Sequence, residues 1–247
     1  MKPFLLLQSR PEDAASDGEH ASFLQFSGLE NHQLIRERVE DGIMPEINLK
    51  DYSGIFMGGG PYNASDPYDK KSQAQRELEK KLNLLMDKVV EYDFPFLGAC
   101  YGIGVIGTHQ GGIISRKFGE EVEPTTITLT PDGLTDPLLK DVPRSFSALV
   151  GHKEACEILP TSATLLASSA KCPVQMFRIK QNIYATQFHP ELDSPALEAR
   201  LRVYQHAGYF PPETLEEVIK KGYATPLIEP KKILRNFVER YQVSKSS

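Results

Sequence analysis

Cysteine is scarce in this chain: three in 247 residues, an odd number, at unrelated spacings and without a Cys-x-x-Cys pair. That argues against a disulfide framework, suggests no zinc or other metal site, and fits a reducing, cytoplasmic compartment. Runs of basic residues interleaved with aromatics are also missing, and the net charge is −5, so nucleic acid is not an expected partner. The longest apolar stretches have the length of strands, which leaves no candidate transmembrane helix and no reason to expect a membrane partner. The first of them, Phe4-Leu5-Leu6-Leu7, is too short for the core of a signal peptide and runs at once into Gln8, Ser9 and Arg10. It reads as a first buried strand. No linker rich in Gly, Ser or Pro divides the chain, and no repeat recurs in it. With 40% hydrophobic residues the chain can bury one large core. The simplest division is a main domain over residues 1–205 and a helical C-terminal extension, 206–247, packed on it.

Short apolar runs bounded by turn residues alternate with helical patterns, which predicts an α/β fold with a mainly parallel central sheet. Strands are expected at residues 4–8, 34–39, 53–57 and 94–97. Helices are expected at 19–26 and at 70–91, where Leu78, Leu82, Leu85 and Val89 recur at helical spacing. From Gly112 to Gln187 the texture changes to strand-like segments separated by Pro, Gly, Asp or Ser, including 126–129, 146–150, 164–167, 175–179 and 183–188. A small antiparallel meander beside the parallel core is the expectation. Helices resume at 194–206, at 212–221 with Gly222 as an expected cap, and at 230–241.

The chemistry concentrates at three places. Phe94-Pro95-Phe96-Leu97-Gly98-Ala99-Cys100-Tyr101-Gly102 reads as a strand entering a tight turn that presents a cysteine, the thiol form of a nucleophile elbow. A helix opening after Cys100 would favour a thiolate through its N-terminal partial charge. Such a nucleophile needs a base and a group that orients the base. Gln187-Phe188-His189-Pro190-Glu191 offers both: in extended chain a spacing of two puts His189 and Glu191 on one side, and Pro190 stiffens the link. Met57-Gly58-Gly59-Gly60-Pro61 ends another strand, where glycines let backbone N–H groups approach a ligand. Taken singly, His-Pro-Glu reads as an ordinary surface loop, and the glycines alone do not exclude a plain turn. Cys156 and Cys172 read as buried thiols, His109 and Gln110 as capping or packing residues, and residues 62–67 as a recognition loop or a solvated turn.

In this order the three motifs resemble the class I (triad) glutamine amidotransferase domain, most nearly stand-alone members related to the amidotransferase domain of GMP synthase. Gly111-Gly112, Val150-Gly151-His152-Lys153-Glu154 and Cys172-Pro173-Val174-Gln175 extend the resemblance, which covers residues 4–204. It implies a three-layer, flavodoxin-like fold and a glutaminase without cofactor: Cys100 as nucleophile, His189 as base and then acid, Glu191 as its orienter. It further implies Gly60 and Tyr101 as oxyanion-hole donors, and Gly59, Gly104 and His152 beside the substrate. Two positions depart from the family pattern. Gly104 stands where many members carry a substrate-holding glutamine, and Gly151 stands where a serine is usual. The implied substrate is glutamine or another γ-glutamyl compound. No Walker A sequence and no Ser-Gly-Gly-x-Asp signature is present. The expected activity is therefore glutamine hydrolysis with ammonia passed to a separate synthase. A stand-alone γ-glutamyl peptidase is the alternative, and a non-catalytic regulatory subunit the third reading.

Overall fold

The computed structural model describes residues 2–243. In chain order the main elements are β1 (Phe4–Gln8), α1 (Asp13–Ser27), β2 (Leu34–Arg38), β3 (Ile55–Met57), α2 (Gln73–Glu91), β4 (Phe96–Ala99) and α3 (Tyr101–His109). They continue with β5 (Ile113–Ser115), β6 (Glu120–Leu129), α4 (Pro131–Thr135), β7 (Ser145–His152), β8 (Ala155–Ile158) and β9 (Ala163–Ser168). The last are β10 (Met176–Ile179), β11 (Ile183–Thr186), α5 (Ser194–Val203), α6 (Leu215–Ala224) and α7 (Glu229–Tyr241).

Nine strands form one sheet in the order β2-β1-β3-β4-β11-β10-β9-β6-β7. From β2 to β11 neighbouring strands run parallel, with Ile55 opposite Phe96 and Ile183 opposite Phe96 from the other side. Beyond β11 every pairing is antiparallel. The antiparallel strands thus extend the parallel core as one continuous sheet, with β11 as the hinge between the two patterns. β5 and β8 pair separately as a small antiparallel sheet.

Alternation along the strands sorts the core onto two faces. Phe4, Leu6 and Phe56 pack with Phe23 of α1 and with Ile233, Leu234 and Phe237 of α7. Leu5, Leu7, Ile55 and Met57 face the other way, onto Leu78, Leu82 and Val89 of α2 and Ile103 and Ile106 of α3. Parallel strands buried on both faces read as continuous apolar runs, which is why β1 is Phe-Leu-Leu-Leu before it turns polar at Gln8. A third cluster joins α5 and α6 to Leu149, Leu192 and Phe210.

Several boundaries move for local reasons. α1 starts six residues before the expected 19, because its first turns bury Ser16 and Glu19 and so carry no clear apolar stripe. α2 starts at Gln73, where the Ser72 hydroxyl accepts from the Gln75 N–H. Gly222 is not a cap: α6 continues to Ala224, and a Cβ at 222 would lie 2.5 Å from Leu197 Cδ2 of α5. α5 ends at Val203, short of His206. β8 and α4 lie outside the expected elements. The Thr130 cap and Pro131 at the first turn account for the short α4.

The α7 helix is anchored by Phe237, whose ring meets Phe56 at 5.0 Å and Phe4 at 6.1 Å. Phe237→Ala should cost about 3–5 kcal/mol, as for other buried aromatic truncations. Urea unfolding of the full chain checks it, and a loss below 1 kcal/mol would mean that α7 is not part of the cooperative core.

Candidate active site

The C-terminal edge of the parallel strands gathers the chemistry, the position where open α/β sheets bind ligands. Cys100 sits between β4 and α3 with φ 53° and ψ −93°, a left-handed conformation for a residue with a side chain. Its N–H donates to Thr186 O at 2.8 Å, so the adjacent strand β11 fixes the turn. The turn needs its glycine: a Cβ on Gly98 would lie 2.9 Å from Gly102 Cα. Cys100 is half-buried, whereas Cys156 and Cys172 are fully buried. Burial pushes those two thiols up to about 11 and about 12, and each S–H donates to a main-chain oxygen.

Downstream of β11, the N–H of His189 donates to Leu149 O at 3.0 Å, and this holds the His-Pro-Glu segment against β7. His189 Nδ1 lies 2.8 Å from Glu191 Oε1 and donates to it. Cys100 and His189 line the same recess, close enough for the thiol to act on the charge of the ring. Burial disfavours the imidazolium, but Glu191 and then Cys100 outweigh it, and the His189 pKa rises to about 9. Glu191 is wholly buried; burial pushes its carboxyl up, but His189 and Arg200 hold it well below the usual carboxylate range.

Behind this pair lies a ladder of buried charge that sequence reasoning missed. Arg200 Nη1 donates to Glu191 Oε1 at 3.0 Å, and Arg200 Nη2 lies 3.7 Å from Glu19 Oε1. Glu19 Oε1 accepts from Arg10 Nε at 2.9 Å, and Glu19 Oε2 accepts from Gln8 Nε2 at 3.0 Å. Arg10 then returns to the site, where its guanidinium lies 5.6 Å from the Tyr204 ring centroid. The place of Arg10 just past the end of β1 was the available signal. Glu19 and Arg200 carried none, because each looks like a solvated helix residue.

The structure brings Gly59 and Gly60 to Cys100 and His189. A Cβ on Gly59 would lie 2.9 Å from His189 Cε1, and Gly60 lines the recess that Cys100 opens into. Tyr101 opens α3, so its N–H belongs to a first turn without intrahelical acceptors, while its ring packs on Tyr62. Two expected residues point elsewhere. Gly104 borders a separate cavity, and a Cβ there would lie 3.0 Å from Ala64 Cβ and 3.1 Å from Glu154 Oε1. The Glu154 carboxylate accepts from the N–H groups of Ala64 and Ser65 at 2.7 and 2.8 Å, which orders the 62–67 loop. The His152 ring is buried between Glu120 Oε2 and Glu154 O, both at 2.9 Å, with Cys172 nearby. Among these strand residues it is Gly151 and Val150 that reach the recess. His109 meets Asp87 and Gln110 on the surface of α3.

The pattern of the Glutamine amidotransferase class-I family matches residues 30–201. The chain belongs to that family. It is 33% identical to Gamma-glutamyl peptidase 3 of Arabidopsis thaliana over 71% of this chain and 69% of the relative. To Gamma-glutamyl peptidase 4 of the same plant it is 28% identical over 97% and 96%. A GMP synthase [glutamine-hydrolyzing] from Petrotoga mobilis is 27% identical over 67% of this chain, which matches only 31% of that protein's length. The crystal structure of a glutamine amidotransferase from Thermotoga maritima shares the fold, with a TM-score of 0.75, 20% identity and 98% of each chain covered. No helix among the described residues is long and apolar enough to cross a membrane.

The raised His189 pKa sets a pH signature. Its contribution to stability is complete below pH 6.5 and is lost as pH rises through about 9. Glu191, held below 4.5, contributes above that pH and loses its contribution as the pH falls. The stability difference between the wild type and Glu191→Gln should therefore be largest between pH 4.5 and 6.5, and shrink above 9. In that variant burial acts without its main opponent, so the imidazole pKa should fall from about 9, which NMR of the ring protons would report. A pKa that stays near 9 would remove Glu191 as the cause.

Proposed function

We propose that this protein is a thiol hydrolase of γ-glutamyl amide bonds and works without a cofactor. One observation carries the reading: a half-buried cysteine on a strained strand-to-helix turn meets a histidine whose far nitrogen is held by a buried glutamate. His189 draws the thiol proton, and Cys100 Sγ attacks the γ-carbonyl carbon. The oxyanion that forms is met by the Gly60 and Tyr101 N–H groups. The C–N bond then breaks as His189 returns the proton to the leaving amine, and a γ-glutamyl thioester remains on Cys100. Water attacks the thioester carbon, giving a proton to His189. The C–S bond breaks, glutamate departs and the thiol recovers its proton. With Gly104 turned from the recess, the glutamyl head is left to the main chain around Gly59 and Gly151.

The amine that leaves is, in this reading, an amino acid or peptide, so the protein acts alone. Correspondence over nearly the whole length with Gamma-glutamyl peptidase 4 supports it, as does the lack of a side chain at Gly104. The second reading, hydrolysis of glutamine with ammonia passed to a synthase, is favoured by the similarity to GMP synthases. Intact Cys100, His189 and Glu191 argue against a merely regulatory subunit. Three unpaired thiols suit a reducing compartment such as the cytoplasm.

The test is direct. The protein is incubated with glutamine and with γ-glutamyl dipeptides while glutamate and ammonia are followed, and a diazo-ketone analogue of glutamine is used to label the nucleophile. Label should map to Cys100, and Cys100→Ser should lower turnover by roughly 10³-fold or more. Label on Cys156 or Cys172 would overturn the assignment.

A further inference from the structure

The strand that brings Gly151 to the recess carries a second cluster of chemistry-bearing side chains, which the hydrolysis does not use. Glu120 opens β6 and His152 ends β7, and the two are partners across the ladder, next to a register shift in β6. Cys172 reaches them from the turn between β9 and β10. That turn is fixed by reciprocal bonds: the Ser169 N–H donates to Cys172 O at 2.9 Å, and the Cys172 N–H donates to Ser169 Oγ at 3.1 Å. Carboxylate, imidazole and thiol offer ligand atoms within 4.8 Å of one another, and all three residues are buried. They come from three separate segments, so no ligand-spacing motif announces them.

The hydrogen bonds of this cluster leave acceptors over. His152 Nδ1 faces Glu154 O, and Nε2 faces Glu120 Oε2, both at 2.9 Å. Both partners are acceptors, so with the Nδ1 proton on the main-chain oxygen a cation, a proton or a metal ion, must lie between Nε2 and the carboxylate. A main-chain oxygen holding the far ring nitrogen is also how metal-ligating histidines are oriented. Gln175 Nε2 donates to Glu120 Oε2 at 2.8 Å and to Ser169 Oγ at 3.0 Å. Glu120 Oε1 and Gln175 Oε1 are then left buried with no donor among the described residues. Orphaned acceptors at this depth are costly and call for a partner. A carboxylate and a thiolate together neutralise a divalent cation, and an imidazole and an amide oxygen complete four ligands. A closed site of sulfur, nitrogen and oxygen suits zinc, whereas magnesium and calcium take oxygen alone.

We propose that this cluster is a structural zinc site, with Glu120 Oε1, His152 Nε2, Cys172 Sγ and Gln175 Oε1 as its ligands. Zinc bonds run about 2.0–2.3 Å, so the side chains close on the ion by roughly 1 Å. The Cys172 thiol gives its proton to solvent as the sulfur–zinc bond forms. The ion ties the start of β6, the end of β7 and the 169–175 turn together, next to the Gly151 that lines the recess. Thiol hydrolysis takes no step through it, and the site stands whether or not the γ-glutamyl reading does.

The experiment treats the full chain with a chelator, reloads it with Zn²⁺ or Co²⁺, removes unbound ion by gel filtration, and measures metal per chain and thermal unfolding. Cys100→Ala is run beside the wild type, because Cys100 and His189 could themselves capture an ion. Both proteins should retain about one equivalent of zinc. Tm should rise by about 5 °C or more when free zinc stands a hundredfold above its Kd. With Co²⁺ both should show the charge-transfer absorption of a cobalt–thiolate bond. Cys172→Ala should lose that absorption, and Glu120→Gln should weaken zinc binding by about 10-fold or more. An ion kept by Cys172→Ala and lost from Cys100→Ala would belong to the nucleophile and overturn the site. A wild type that retains no ion would overturn it too, and would assign the orphaned acceptors to buried water. Should Cys172→Ala fail to fold, the cobalt–thiolate absorption of the double variant Cys100→Ala/Cys156→Ala decides, because Cys172 is then the last thiol in the chain.

Discussion

The structure depends on a buried alternation of charge that runs from His189 through Glu191, Arg200 and Glu19 to Arg10. Isolated charges at these depths would be strongly disfavoured, and each is tolerated because the next has the opposite sign. The ladder ties together four parts of the chain: the end of β1, helix α1, the His-Pro-Glu segment and helix α5. Two of its members end at the site, so the same contacts that fix the fold also hold His189 and place Arg10 on the recess that Cys100 lines. Removing an inner rung would deprive both of its neighbours of a counter-ion and disturb both ends at once.

The sheet supplies the other constraint. β4 is central and is flanked by β3 and β11, each running parallel to it. Those two strands end in the glycine loop and the His-Pro-Glu segment. Parallel neighbours finish at the same edge, so stretches as far apart in sequence as Gly60 and His189 arrive together at Cys100. The strained backbone at Cys100 is held from both sides, by Thr186 O and by the glycine contact beneath it. Strain of this kind persists only where the surroundings over-determine it.

Much of this was legible beforehand. The apolar runs of β1, β3 and β4 mark themselves, as does the stripe on α2, and the elbow, glycine loop and His-Pro-Glu segment were readable as motifs. What escaped is physically instructive. α1 buries polar side chains toward the site, so its first half shows no amphipathic signal, and Glu19 looked like any surface glutamate. Arg10 was noticed only as the end of a hydrophobic patch. His152 was placed beside the substrate by resemblance alone, but its ring is taken by Glu120 and by a main-chain oxygen, and only its neighbour Gly151 lines the recess. Residues 204–210 carry no periodic pattern, and their position over the site follows from contacts with Lys153 and Val122 that no local sequence rule reveals.

The crowding around Gly104 bears on how this site could change over time. A Cβ there would sit tightly between Ala64 and a glutamate engaged with two main-chain amides. A Cβ at 104 would already press on Ala64 and on Glu154, whose carboxylate holds the main-chain amides of Ala64 and Ser65. A longer residue at 104 therefore depends on adjustment of its neighbours and not on one substitution alone. Residue 104 is therefore conditionally fixed: it can lengthen only after residues 64 and 154 have given way.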